Sequence, residues 1–164
     1  MRLRRKPWID EAIHDYDSHI ILSGQENYKG KWREAFSHPE RPLYMELGTG
    51  KGRFIAGMSE AHPDANFVGF EVQIGVIYYA AQKIFEAERD NAKVSLFDIA
   101  GIEEIVAPGE VDRFYINFCD PWPKAKHAKR RLTYHTFLDR YARLLKDNGE
   151  VHFKTDNEGL FIFS

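Results

Sequence analysis

Residues 42–63 read PLYMELGTGKGRFIAGMSEAHP, and this stretch decides the fold. Residues 42–47 form an apolar run of strand length. Gly48, Gly50 and Gly52 then interrupt it, and 51–62 carries apolar side chains at helical spacing as far as Pro63, which ends a helix. A strand, a glycine loop and a helix make the opening unit of a parallel α/β sheet. The pattern recurs outward from there. NFVGFEV (66–72) predicts a second strand and 74–90 a long helix with an apolar stripe. AKVSLF (92–97) predicts a third strand, with a short helical segment near 101–106, and DRFYINFC (112–119) a fourth. Residues 132–149 predict a helix with Gly149 as its stop, EVHFKT (150–155) a fifth strand, and a helix begins at about 157. The expected architecture is α/β: a doubly wound, mostly parallel sheet with helices on both faces over residues 41–164. It follows an N-terminal arm with short helices over 1–40. Tyr28, Trp32 and Phe36 stand at i, i+4, i+8 spacing within that arm and read as packing.

Composition narrows the class. The chain has 164 residues, 43% apolar and 29% charged, which suits one domain with one sizeable core. No apolar run approaches the length of a membrane span, and MRLRRKPW has no apolar stretch behind its charges, so neither an anchor nor a signal peptide is expected. Cys119 is the single cysteine, which excludes an intrachain disulfide and a cysteine zinc cage. No histidine has metal-ligand spacing, so no metal is expected, and the expected location is the cytoplasm. The net charge of −2 hides a polarised molecule. Residues 1–6 carry +4, and 121–146 carry +7 from eight cations and one acid, leaving −13 elsewhere. KAKHAKRR (124–131) holds five cations in eight positions with no acid. Such segments suit a polyanion bound at one face, the alternative being a solvated helix face and a basic tail.

Right-handed crossovers bring the glycine loop and the carboxyl ends of the strands to one edge, where ligands bind in open α/β sheets. Four strands end on or beside an acid: Glu46 opening the loop, Glu71, Asp98 and Asp120. The loop lacks the glycine spacing and the Lys-Ser/Thr of a P-loop, and departs from the dinucleotide fingerprint. An acid at its start repels a pyrophosphate and suits a cation. Capping of turns accounts for Glu71 or Asp98 singly; four acids at four successive strand ends are harder to explain that way.

ELGTGKG with Glu71, Asp98 and Asp120 resembles the S-adenosylmethionine (SAM) site of class I methyltransferases. INFCDPWPKAKHAKRRLTYHTFL (116–138) and HFKTDNEGLF (152–161) are more specific. With ELGTGKGRF and NFVGFEV they closely resemble the bacterial tRNA (guanine-N7)-methyltransferases, the TrmB family, from about residue 40 to the end. The resemblance implies methyl transfer from SAM to N7 of a guanine in tRNA, the variable-loop guanine, with S-adenosylhomocysteine as product. It implies cofactor binding by Glu46, Gly48, Gly50, Glu71, Asp98 and Asp120, with Asp120 also catalytic. It implies substrate binding by Lys124, Lys126, His127, Lys129, Arg130, Arg131 and Asp156. The partner is tRNA, no membrane is involved, and the state is monomer or homodimer. Trp122 is either a platform for an extruded base or a core residue closing the sheet edge; Asp156 either meets substrate or caps a helix.

Relatives in this resemblance continue with further strands and a Thr-x-Tyr-Glu segment. This sequence ends Phe161-Ile162-Phe163-Ser164 without one, so the sheet is expected to lack its last strands. Rival readings are an amino-group methyltransferase of adenine or protein, from the similarity of Asp120-Pro121-Trp122-Pro123 to the D/N-P-P-Y/F loop, and a non-catalytic RNA-binding fragment of the same fold. A nicotinamide oxidoreductase is disfavoured by the glycine spacing and Glu46. A cytosine-C5 enzyme using Cys119 as nucleophile is disfavoured because a strand cysteine is more often buried packing.

Overall fold

A computed structural model describes residues 6–117, 135–155 and 159–163. Seven strands form one sheet: β1 (Ile20–Ile21), β2 (Leu43–Leu47), β3 (Asn66–Glu71), β4 (Ala92–Leu96), β5 (Val111–Asn117), β6 (Leu145–Thr155) and β7 (Gly159–Phe163). Their order is β1-β4-β3-β2-β5-β6-β7. Every neighbouring pair is parallel except β6 with β7. The helices are α1 (Ile9–Ala12), α2 (Arg53–Ala61), α3 (Ile74–Glu86) and α4 (His135–Leu144). The doubly wound, mostly parallel sheet read from the sequence is the observed fold.

Strand alternation sends side chains to two cores. Leu43, Met45, Leu47, Val68, Phe70, Phe114, Ile116 and Phe153 pack with Trp32, Ile102 and Tyr141 on one face. Phe67, Val94 and Tyr115 pack with Ile55, Ile77, Ala80 and Ile84 of α2 and α3 on the other. Ile9, Ile13 and Ile20 join that second core, so residues 6–40 are built into the domain rather than hung from it.

Four local readings change. No periodicity in the sequence announces β1, a two-residue strand that extends the sheet beyond β4 through Ile20↔Val94 and Ile21↔Ser95. Tyr28, Trp32 and Phe36 do not share one helix: Gln25–Tyr28 and Trp32–Ala35 are separate 3-10 turns, with Gly30 between them at φ +78°. Their packing role holds, since Trp32 is fully buried and stacks on Tyr28 at 5.0 Å. At the far end, α4 stops at Leu144 rather than at Gly149, because Leu144 and Leu145 turn into the sheet and Leu145 pairs with Val111. The register then jumps to Arg113↔Glu150, and Asn148, not Gly149, takes the left-handed conformation at φ +69°. The helix expected from about 157 is replaced by β7. Leu160-Phe161-Ile162-Phe163 is a run of strand-favouring residues that covers the edge of β6.

A buried acid ties the N-terminal segment down. Glu110 accepts the backbone N–H groups of Gly30 (2.9 Å), Trp32 (3.0 Å) and Ala107 (2.8 Å). Trp32 Nε1 donates to the Ile105 carbonyl at 2.7 Å. Replacing Glu110 by alanine strands donors in a region closed to water, at about 1–3 kcal/mol for each one fully buried. Glu110→Ala is therefore expected to cost about 3 kcal/mol or more in urea unfolding; a loss below about 1 kcal/mol contradicts the clamp.

Candidate active site

The glycine loop is fixed by what lies beneath it. Gly48 and Thr49 both donate their N–H groups to the Phe70 carbonyl, at 3.0 and 2.8 Å, so the loop folds over the neighbouring strand. It crosses β3 at Gly69. A Cβ placed there would lie 2.5 Å from Thr49 Oγ1 and 2.7 Å from Thr49 Cβ. The absent side chain is the space that Thr49 occupies. Glu46 pairs with Gly69 in the sheet register, is buried, and accepts a short hydrogen bond from the Thr49 hydroxyl. On the far side Gly52, at φ +85°, rests on α3, where an added Cβ would lie 2.7 Å from Ala80 Cα. Gly48 and Gly50 also take left-handed conformations, at φ +79° and +57°.

Two more of the expected acids stand at the same carboxyl edge. Glu71 ends β3. Its Oε2 accepts the N–H groups of Val72 (3.0 Å) and Gln73 (3.1 Å), and its Oε1 accepts that of Gly50 (3.2 Å). Asp98 follows β4, is exposed, and caps the 3-10 turn Ile99–Glu104 by accepting from Ala100 N at 2.9 Å. The capping and ligand readings are thus compatible here. The caps orient both carboxylates, and each retains acceptor capacity toward the edge. Glu46 differs: it is buried and braces the loop from within, bonded to the Thr49 hydroxyl rather than facing the open edge.

Asp120, Asp156, Cys119, Trp122, Lys124, Lys126, His127, Lys129, Arg130 and Arg131 lie outside the described residues. The charge count for 121–146 stands, but three of its cations are paired in the described part. Arg140 and Arg143 both hold Glu103, at 3.0 and 3.1 Å, and Lys146 Nζ is 3.8 Å from Asp112. Arg140 also donates to the Ala100 carbonyl at 2.7 Å. These cations fasten α4 to the body of the domain and to the turn that Asp98 caps. Among the described residues no helix is long and apolar enough to cross a membrane, and no cluster of three metal-ligating side chains occurs.

Sequence reading located the loop and its acids but not the roles of Thr49 and Gly69. The only signal was the glycine inside the second strand, which marks a close approach when it interrupts an apolar run.

Comparison with known proteins gives the same fold and a narrower kinship. A family model described as a putative methyltransferase matches residues 40–162. The tRNA (guanine-N(7)-)-methyltransferase of Bacillus licheniformis is 46% identical over the whole chain, which spans 76% of that relative. Those of Bacillus subtilis and Lactococcus lactis are 45% and 43% identical, with 76% and 75% of their lengths covered. Among solved structures, the antibiotic-resistance methyltransferase Kmr superposes with a TM-score of 0.54 at 22% identity, over 75% of this chain and 69% of that one. A SAM-dependent methyltransferase from Aquifex aeolicus gives 0.54 at 14% identity, over 88% and 62%. These structural likenesses establish the fold alone.

The loop geometry separates two glycines that look alike in sequence. Gly52→Ala drives a Cβ into the backbone of α3 and is expected to lower stability by about 2–4 kcal/mol. Gly50→Ala meets nothing within 4 Å and carries only the left-handed backbone cost of about 1–2 kcal/mol. Thermal unfolding of the two variants checks this, and equal midpoints contradict the docking of the loop on α3.

Proposed function

Because the chain belongs to the tRNA (guanine-N7)-methyltransferase family, we propose that it transfers the methyl group of SAM to N7 of a guanine in tRNA. The observation that carries this reading is the carboxylate edge itself: Glu71 and Asp98 oriented by their caps, beside a loop underlain by the buried Glu46. That donor set fits SAM. Glu71 would accept bonds from the ribose hydroxyls, Asp98 would sit near the adenine amino group, and Glu46, Gly48 and Gly50 would border the methionine portion. When bound, SAM supplies a methyl group on a cationic sulfur open to in-line displacement.

The protein's part in the reaction is positioning and electrostatics. Guanine N7 has a lone pair and no proton, so its attack needs no general base. What it needs is alignment, which chain stiffness at Asp120-Pro121-Trp122-Pro123 favours, since both prolines fix φ and restrict the residue before them. Positive charge moves from the sulfur to the purine during transfer. A carboxylate at Asp120 or Asp156 accepts bonds from the guanine N1–H and N2 amino groups and stabilises the cationic product. Lys124 and the run Lys126, His127, Lys129, Arg130 and Arg131 supply backbone contacts to tRNA. The variable-loop guanine is the target on this reading, and Cys119 takes no part in the chemistry.

Two measurements test it. Incubation with bulk tRNA and methyl-labelled SAM, followed by digestion to nucleosides, is expected to place the label in 7-methylguanosine, and Cys119→Ala is expected to retain transfer. Label in methyladenosine, or a trapped protein–RNA adduct at Cys119, overturns the reading. Glu71→Ala is expected to weaken SAM binding by about 1–3 kcal/mol in titration calorimetry, through loss of charge-assisted bonds to the ribose. Unchanged affinity removes Glu71 from the site.

A further inference from the structure

The outer side of the glycine loop carries a second cationic feature, remote in sequence from 124–131. Gly52 seats the loop on α3 at Ala80, and this brings Lys51 beside the preceding residue of α3, Tyr79. Lys51 Nζ lies 5.6 Å from the centre of the Tyr79 ring. Lys6 approaches the same ring at 6.0 Å and donates to its hydroxyl at 3.4 Å. One helical turn further on, Lys83 completes an open cleft of about 240 Å³ lined by Lys51, Tyr79, Gln82, Lys83 and Glu86. Two ammonium groups thus approach one phenol ring, and a third lysine lines the cleft beside it. Among the described residues none of the three has a carboxylate within ion-pair distance. Other described cations divide: Arg33 and Lys146 pair with Asp112, Arg113 with Glu150, and Arg140 and Arg143 with Glu103, while Lys29, Lys31, Arg53 and Lys93 form no ion pair with a described carboxylate. What sets this cleft apart is convergence: lysines from a loop, a helix and the N-terminal segment gather at one tyrosine and the cleft beside it, with a self-repulsion that a bound anion would relieve.

We infer that the cleft lined by Lys51, Tyr79 and Lys83, with Lys6 at the Tyr79 ring, is a second contact for the tRNA phosphate backbone, additional to the 124–131 run. The inference rests on the function proposed above and adds a site to it. Its occupant follows from charge and place. Ammonium groups with a phenol and an amide suit phosphate oxygens. Lys51 belongs to the loop that borders the ligand edge. β5, which leads into the basic run, lies beyond β2 from α3, two or three strand spacings away, about 10–15 Å. A polyanion in this cleft would lie against the helix on which the glycine loop is seated. Glu86 is the one acid lining the cleft.

The test is tRNA affinity of the full chain measured over about 50–200 mM salt, with SAM affinity measured alongside. Lys51→Gln/Lys83→Gln is expected to weaken tRNA about tenfold at low salt and to reduce the slope of log affinity against log salt by about 1–2, with SAM affinity within about twofold of wild type. Glu86→Lys is expected to tighten tRNA and steepen the slope by about one. Both variants change exposed side chains, so folding is not at stake. Unchanged slopes in both overturn the site. So does a fall in SAM affinity without a change of slope, which would assign Lys51 to the cofactor. Methyl transfer by the wild-type chain keeps the two readings apart. If guanine N7 is methylated while the slopes stay equal, only this second contact fails. If wild type methylates no guanine N7, the proposed function fails, and the slopes still decide the cleft.

Discussion

Thr49 sits in the space that a side chain at position 69 would fill, and its hydroxyl bonds a carboxylate that is buried with it. Much of the ligand edge depends on that contact. The bond couples β2, which carries Glu46, to the loop, and the loop to β3 through the Phe70 carbonyl. Once Thr49 is down, Gly50 is within reach of Glu71, and Gly52 reaches α3. Two strand-loop-helix units, β2 with α2 and β3 with α3, are locked together by one glycine that lacks a Cβ and one acid that bonds a hydroxyl. A buried carboxylate is costly unless it is hydrogen-bonded. Here it is bonded to Thr49, so the same contact that satisfies the buried acid shapes the loop above it.

The charge distribution has a similar division of labour. Acidic residues of the body hold the cations that build the fold: Glu103 fastens α4, and Asp112 anchors Arg33 and the N–H of Leu43. The Glu110 carboxylate, which accepts only backbone N–H groups among the contacts described, closes the N-terminal segment over one core. Among the described residues Lys6, Lys51 and Lys83 are not drawn into such pairs; Lys6 and Lys51 approach the Tyr79 ring, and Lys51 and Lys83 line the cleft beside it. Net charge near zero therefore conceals cations of two kinds, some spent on architecture and some left facing solvent.

How much of this was legible in the sequence follows from how local each signal is. The parallel sheet is written as alternating strand and helix periods, and the loop as glycines after a strand, so β2 to β5, α2 and α3 were readable. Glu71 and Asp98 were readable because they fall where strands stop. β1 was not, because two residues hold no period and their pairing is decided by β4, more than 70 residues away. Glu110 was not, since an acid in a turn looks solvated until the backbone of Gly30 and Trp32 is brought to it. The end of α4 was misjudged because a glycine was given the stop signal, whereas pairing of Leu145 with Val111 ends the helix earlier. β7 was misjudged for a related reason: a short apolar run fits either period, and the open edge of β6 chose the strand.

The account turns on the loop's being held by the bond between Glu46 and Thr49, and a double-mutant cycle on SAM affinity tests that most directly. Thr49→Val keeps the shape over Gly69 and removes the hydroxyl; Glu46→Gln keeps the shape and removes the charge. The account predicts that Thr49→Val weakens SAM by about tenfold in the wild-type background, the ~1.4 kcal/mol at the upper end of what one hydrogen bond contributes net, and by much less when Glu46→Gln is already present. Equal losses in both backgrounds, or no loss in either, would contradict it.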